Sequence, residues 1–406
     1  MPAPSHRRVG LWLVGAFGGI GTTIAVGLAS LARGLKPTTG LVSELPMFQG
    51  LGLPAATDFV VGGHDIRLGS FADSAAEFRA GSGVFEPELL AAIKDELDAA
   101  SARVRSGTVR GAGRSIAKMA DWSTAESAET TGQVVDRIAA DLEAFVQAES
   151  IDHLIVLNVS STEPPFPLKP EHDSWDRLNA ALATDTGELL PASSLYAIAA
   201  LRLGHTYINF TPSLGSSFPA AHQLAEQTGG LHAGKDGKTG ETLMKTVLAP
   251  MFAHRNLEVM SWVGHNIFGN RDGQILDDPL NKASKVATKD QVIHQILGYK
   301  PASLVTIEYI PDMGDWKTAW DHIHFKGFMG TQMTLQFTWQ GCDSLLAAPL
   351  AIDLARLADL EKQRGGRGLM EHLSSFFKSP EGVAENDFFR QFTWLEEYAA
   401  KLRANQ

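Results

Sequence analysis

The sequence predicts an α/β protein: a Rossmann-like, doubly wound parallel sheet, with an inserted α+β domain built on a mostly antiparallel sheet. Three observations carry this expectation. An uncharged run at residues 9–32, "VGLWLVGAFGGIGTTIAVGLASLA", packs glycines into its middle. Apolar segments ending in Asn, Ser and Thr then alternate with amphipathic helical patterns. Near residue 256 the texture changes to longer segments in which apolar and polar residues alternate.

The first run is long enough for a membrane span, which needs about 20 apolar residues. His6, Arg7 and Arg8 before it supply the positive flank of a signal peptide, even a twin-arginine one. Against both stand Gly10, Gly15, Gly18, Gly19, Gly21 and Gly27, and no small-x-small cleavage site follows. Residues 9–14 read as a buried strand, "GAFGGIG" as a tight turn, and residues 22–33 as a helix closed by Gly34. Glycines at 15, 18 and 21 let the backbone turn sharply, approach a pyrophosphate and pack helix on strand. The helix N-terminus then presents N–H groups to the phosphates. Charge is absent because such a strand is covered on both faces. No later stretch looks membrane-spanning, and a soluble protein is expected.

At 406 residues the chain exceeds one typical core, so two domains are expected, either in succession or one inserted into the other. The net charge of −11 argues against general nucleic-acid binding, and an anionic substrate must be met by a local cluster of cations. Cys342 is the single cysteine, which excludes an internal disulfide framework, cysteine-based zinc sites and Cys-x-x-Cys chemistry and fits a reducing cytoplasm. It is expected as a small buried hydrophobe rather than a nucleophile.

"DFVVGGHDI" (58–66) reads as a second strand, residues 87–104 and 129–148 as amphipathic helices, and "HLIVLNV" (153–159) as a third strand. The irregular "SSTEPPFP" follows at once, and "TYINF" (206–210) repeats that layout. Strands of this kind alternating with helices indicate a binding crevice along the carboxyl edge of a parallel sheet. "NLEVMSWVG" (256–264), "SLVTIEYI" (303–310) and residues 331–340 are strand-like. In the last, Met333, Leu335, Phe337 and Trp339 alternate with polar residues, as in a sheet packed on one side. Helical patterns resume from Asp343.

"AGKDGKTGETLMK" (233–245) ends like a P-loop at Gly237, Lys238 and Thr239, but position 232, where that motif needs glycine, is His. Residues 239–242 open a helix, either as an anion-binding turn or as a plain cap. Further on, "NKASKVATKDQVIHQ" (281–295) carries Lys282, Lys285 and Lys289; on a helix, 285 and 289 share one face, turned to water or to an anion. "HIHF" (322–325) offers two imidazoles without a third ligand at defined spacing, so no metal is expected.

In order along the chain, "GAFGGIG", "GGHDI", "LNVSSTEPP", "YINFTPS", "DGKTGETLMKTVLAPM", "GNRDG", "SKVATK", "GDWKTAWD", "CDSLLAAPLAIDL" and "FFKSP" resemble the myo-inositol-1-phosphate synthase (inositol-3-phosphate synthase) family. The resemblance implies a discontinuous NAD-binding domain, residues 1–242 plus 347–406, around a catalytic and tetramerisation domain, 243–346. It implies an isomerase that converts D-glucose 6-phosphate to 1D-myo-inositol 3-phosphate by C5 oxidation, enolisation, intramolecular aldol closure and re-reduction. NAD is then tightly bound and recycled. Each step passes through an alkoxide or enolate, which a lysine ammonium can stabilise.

Carried over by motif, the catalytic set is Asp236, Asp272, Lys285, Lys289, Lys317, Asp343 and Lys378. The resemblance makes Lys285 the proton acceptor in C5 oxidation. Lys289, Lys317 and Lys378 bind phosphate and sugar oxygens or stabilise the enolate and alkoxide, and the aspartates keep the lysines charged and oriented. Gly15, Phe17, Gly18, Gly19, Ile20 and Gly21 map to the pyrophosphate turn, Asp65 to a cofactor contact, and Ser160, Ser161 and Thr162 to the cofactor crevice. The general spacing rule for dinucleotide folds would instead choose Glu44, about 20 residues after the turn. Thr239, Gly240, Glu241 and Thr242, with Lys289, map to the substrate phosphate.

Three departures fall on substrate-side loops: Thr239-Gly240-Glu241-Thr242 stands for the family's Ser-Gly-Gln-Thr, Arg271 for its second Asn, and "NFTPSLGSS" (209–217) is far from its usual wording. They leave open a sister cyclase that closes another sugar phosphate, such as fructose 6-phosphate, to a five-membered ring. An ordinary NAD-dependent dehydrogenase and a non-catalytic nucleotide sensor are the remaining rivals. A cytoplasmic homotetramer without membrane or nucleic-acid partners is expected.

Overall fold

The computed structural model describes residues 7–121, 129–187, 189–276 and 293–404, with the side chains of 275 and 276 left aside. The uncharged run folds as strand β1 (Val9–Val14), a turn, and a helix (Gly19–Ala32) that starts three residues earlier than its sequence suggests. Both faces of β1 are covered, which is why it carries no charge. Val9, Leu11 and Leu13 join one apolar layer with Ile24, Ala25 and Leu28, while Trp12 and Val14 join another with Val134, Ile138 and Leu142 of helix Thr131–Glu149. That helix opens with a capping box, Thr130 and Gln133 each bonding the other's backbone N–H. No helix among the described residues is long and apolar enough to cross a membrane.

Strands β2 (Phe59–Asp65), β3 (Val104–Ser106), β4 (His153–Asn158), β5 (Thr206–Asn209) and β6 (Leu231–Gly234) join β1 in a parallel sheet. The chain then leaves through helix Gly240–His254 and builds a second sheet from β7 (Glu258–Phe268), β8 (Ala302–Tyr309), β9 (Trp316–Lys326) and β10 (Gln332–Cys342). It returns through helix Asp343–Gln363, whose Ala351, Ile352 and Ala355 share the apolar layer of the first helix, and adds β11 (Gly368–Leu369) beside β6. The large sheet has the order β11-β6-β5-β4-β1-β2-β3, which contains the doubly wound order of dinucleotide-binding sheets.

Register fixes where function can sit. Val14 is level with His64 and with Asn158, Asn158 with Asn209, and Asn209 with Gly234. Five strands therefore end in one row, and the residues that follow them share one edge.

The smaller sheet has the order β10-β9-β7-β8; β9 is antiparallel to both neighbours and β8 is parallel to β7. Its inner face sets Trp262, Ile323 and Phe325 against Ala249 and Phe252 of helix Gly240–His254. Its outer face is open, with Trp320 and Leu304 exposed, and Met333 on β10 is exposed as well. The helix expected over 87–104 is two short helices, Pro87–Ala92 and Lys94–Ser101, broken where Ile93 leaves helical geometry at φ −109°, ψ 17°.

Candidate active site

Each strand end contributes one wall of a cleft of about 420 Å³. After β1, Gly15 takes φ +86°, and a Cβ there would stand 2.8 Å from Ser160 Cα of the loop after β4. Gly21 makes the helix pack on the turn: its Cβ would meet the Ala16 carbonyl oxygen at 2.4 Å. The N-cap of the following helix, Gly18, supplies no side-chain hydrogen bond, which leaves that terminus suited to an anion. Asp65, last residue of β2, accepts from Phe17 N–H at 2.7 Å and from Arg67 N–H at 2.9 Å. Burial raises its pKa, against the opposing charge of Arg67. Turn, uncapped helix and a carboxylate at the neighbouring strand end are the donor and acceptor set that a dinucleotide requires.

Gly15, Phe17, Gly18, Gly19, Ile20, Asp65, Ser160, Ser161 and Thr162 all line the cleft. Gly21 lies behind it, in its packing role. Glu44 is elsewhere, paired with Arg356 at 2.6 Å, because residues 33–58 form a long connection that delays β2.

The other wall comes from the second sheet and the returning chain. Asp236, in the turn after β6, meets Lys378 with Nζ to Oδ1 at 2.7 Å, both side chains nearly buried. Asp236 Oδ2 is buried with no protein partner among the described residues. Lys317, at the start of β9, lies 3.8 Å from Asp343, and its Nζ stands 5.0 Å from the centre of the Phe268 ring. Asp272 Oδ1 is 3.3 Å from Thr162 Oγ1, so the second sheet's loop touches the cofactor loop. Asp236, Asp272, Lys317, Asp343 and Lys378 all face this cleft; Lys285 and Lys289, with Lys282, lie outside the described residues.

The phosphate turn needs a correction. Thr239 lines the cleft and gives the helix Gly240–His254 no side-chain cap, but Gly240, Glu241 and Thr242 do not line it. The Glu241 carboxylate turns away and forms a buried ion pair with Lys245 at 2.5 Å, against Gly264 of β7. A carboxylate facing a phosphate would repel it; pairing behind the helix removes that conflict. Lys238 also points away, its Nζ 2.5 Å from Gln391 Oε1 in the last helix, so the P-loop spelling carries no P-loop function. Cys342 is buried, and burial together with Asp315 pushes its thiol pKa far up. His322 and His324 fall outside the cleft lining.

Three polar residues of the lining carry no signal in spacing alone. Glu163 is fully enclosed, accepts from Ser193 N–H at 2.8 Å and from Ser193 Oγ at 2.5 Å, and has its pKa pushed up to about 7 by burial. Its own N–H donates to Ser213 Oγ at 3.1 Å, tying the loops after β4 and β5 to the start of helix Ala192–Arg202. Asp315 and Asn270 are joined at 2.8 Å beneath the second sheet's loop. Asp315 stands two residues before Lys317 in "GDWK", where the lysine alone draws the eye.

Comparisons with known proteins identify the family. A bacterial inositol-3-phosphate synthase 1 from Bacteroides thetaiotaomicron is 33% identical over 97% of this chain and 95% of its own length. The crystal structure of inositol-3-phosphate synthase from Caenorhabditis elegans superimposes with a TM-score of 0.86 at 24% identity, covering 98% of this chain and 86% of that one. A myo-inositol-1-phosphate synthase-related protein from Thermotoga maritima does so with a TM-score of 0.77 at 25% identity, over 97% and 99%. Residues 9–399 match the sequence profile described as myo-inositol-1-phosphate synthase, and the chain belongs to that family.

Proposed function

We propose that the protein is an NAD-dependent isomerase that cyclises D-glucose 6-phosphate to 1D-myo-inositol 3-phosphate. The observation that carries this reading is the meeting, in one cleft, of a dinucleotide turn with two lysine–aspartate pairs, Lys378–Asp236 and Lys317–Asp343. When bound, NAD supplies a hydride acceptor for C5 and the same hydride after ring closure.

The chain's own groups do the rest. An ammonium has three donors, and Asp236 takes one from Lys378, leaving others for sugar or phosphate oxygens. Asp236 Oδ2, buried without a partner among the described residues, suits a sugar hydroxyl. Lys317 offers positive charge to an oxyanion as it develops, with Asp343 and the Phe268 ring holding it in place. Thr239, the one residue of the turn that lines the cleft, and Lys289 take the phosphate, and Lys285 takes the proton from the C5 hydroxyl.

Two of the three departures that would favour a sister cyclase have other employment here. Glu241 is paired behind the helix with Lys245, and Arg271 reaches Glu77 of helix Phe71–Ser82 at 2.5 Å, on the cofactor wall. Residues 1–242 with 347–406 form the NAD-binding domain and 243–346 the catalytic and tetramerisation domain. A homotetramer is supported by the open outer face of the smaller sheet and by the exposed Phe328 and Met329 at its hairpin. The lone thiol of Cys342 suits the reducing cytoplasm.

The test is to incubate the protein and NAD separately with glucose 6-phosphate and fructose 6-phosphate and to identify products by NMR and mass spectrometry. Inositol phosphate from glucose 6-phosphate, with no net NADH absorbance, is expected. A five-membered cyclitol phosphate, or NADH accumulating with turnover, would overturn the reading.

A further inference from the structure

Asp315 sits at the junction of three segments that carry the acidic and basic groups of the cleft. It is 2% exposed, in the short connection between β8 and β9. Its Oδ1 accepts from Asn270 Nδ2 at 2.8 Å and from Ser344 Oγ at 3.1 Å; its Oδ2 accepts from Ser344 N–H at 2.6 Å and from Cys342 Sγ at 3.1 Å. A carboxylate offers about four lone-pair positions, and four donors fill them. Such a group has no capacity left for substrate, which separates its role from that of Asp236.

Each donor leads to a different part of the cleft. Asn270 also accepts Gly273 N–H at 3.0 Å, fixing the short helix Arg271–Leu276 on which Asp272 lies. Ser344 follows Asp343 at the start of helix Asp343–Gln363, whose N-cap, Cys342, provides no side-chain cap. Asp315 replaces that cap: its carboxylate takes Ser344 N–H, and its carbonyl takes Asp343 N–H at 2.9 Å. Lys317 is two residues along the same strand entry. On the cofactor side, Asp315 N–H donates to Ser82 Oγ at 2.9 Å, and a Cβ on Gly19 would meet Ser344 Oγ at 2.5 Å. One buried carboxylate therefore touches the supports of Asp272, Asp343 and Lys317, and it lies one residue from the glycine turn.

We propose that Asp315 is a positioning residue that holds Asp272, Asp343 and Lys317 in mutual register across the cleft. The proposal rests on the cyclase reading for its kinetic consequence. Asp315→Asn keeps the shape but turns an NH₂ group toward donors, so one branch must let go. A displacement of about 1 Å at reacting groups costs on the order of 10²-fold in rate.

The experiment compares wild type, Asp315→Asn, Asn270→Ala and Ser344→Ala as full chains with NAD. The expected result is kcat for inositol phosphate formation down by about 10²-fold in Asp315→Asn and by less in each single-branch variant, with KM for glucose 6-phosphate changed only a few-fold. All four proteins are assayed at saturating NAD, so that kcat is compared at full cofactor occupancy. Hydrogen exchange should rise at 269–276 and 343–347 and stay unchanged in β1 and β4. A folded Asp315→Asn variant with wild-type kcat, or with unchanged exchange at both segments, overturns the proposal. If Asp315→Asn does not fold, wild-type kcat and exchange in both Asn270→Ala and Ser344→Ala overturn it. If wild type itself makes no inositol phosphate, the cyclase reading fails, and the exchange comparison still decides the role of Asp315.

Discussion

Lys378 and Asp236 are joined twice: side chain to side chain at 2.7 Å, and Lys378 N–H to the Asp236 carbonyl at 2.6 Å. The turn after β6 and the segment after β11 are thereby stitched together, and Gly237 bridges Phe377 beside them. Asp236 holds a left-handed backbone, φ +63°, inside this contact. The pair is buried, so its members depend on each other in energy as well as in chemistry.

Removing one member of a buried pair strands the other and costs about 3–5 kcal/mol, whereas removing both relieves the conflict. Lys378→Met and Asp236→Asn should each lower thermal stability and abolish cyclisation. The double variant should melt closer to wild type and stay inactive. Denaturation curves for the four proteins check this; single variants as stable as wild type would show that the two charges are not interdependent.

Much of the first unit is legible in the sequence because its physics is local. A glycine-rich turn between an uncharged strand and a helix has few alternative folds, and β1, β2, β4 and β5 follow from apolar runs. β3, β6 and β11 are two to four residues long and carry no usable period; neighbouring strands, not propensity, make them. The spacing rule points to Glu44 because it assumes a short helix-to-strand connection, which residues 33–58 do not provide. Lys378 and Asp236 are 142 residues apart, so only the family resemblance, never spacing, puts them on one list. Glu241 shows the converse limit: its place in a motif says nothing of which way its side chain turns.

Gly15→Ala should abolish tight NAD binding. The residue stands at φ +86°, where an L side chain costs about 1–2 kcal/mol, and the added methyl would press on the Ser160 backbone at 2.8 Å. Relief requires the loop after β4 to retreat from the crevice. Co-purifying NAD, measured after denaturation, should fall to background while the protein stays folded; undiminished cofactor would contradict the placement of the turn.

Glu163 predicts a pH dependence of known sign. Burial raises its pKa from the ordinary 4.5 to about 7, so between those values the folded chain holds a proton that the unfolded chain has lost. Its stability contribution is complete below about pH 4.5 and falls by about 1.4 kcal/mol per unit as pH rises toward 7. Glu163→Gln removes this decline. Melting temperatures from pH 4.5 to 8 should slope less steeply in the variant, and identical slopes would refute the assignment.

Lys238 titrates in the opposite sense. Burial lowers its pKa from 10.5 to about 7, so between those values the unfolded chain carries a proton the folded chain lacks. Its contribution is complete above about pH 10.5 and declines as pH falls to 7, again by about 1.4 kcal/mol per unit. Lys238→Met deletes a penalty of several kcal/mol at neutral pH. Against that, Gln391 Oε1 loses its partner in a fully buried position, at a cost of about 1–3 kcal/mol. The balance predicts a variant at least as stable as wild type near pH 7, with its advantage shrinking as pH rises toward 10.5. Activity should persist, because the amine lies behind the phosphate turn and outside the cleft lining. A Lys238→Met protein that melts normally but cannot turn over glucose 6-phosphate would place the amine at the substrate and restore the P-loop reading of "DGKTG".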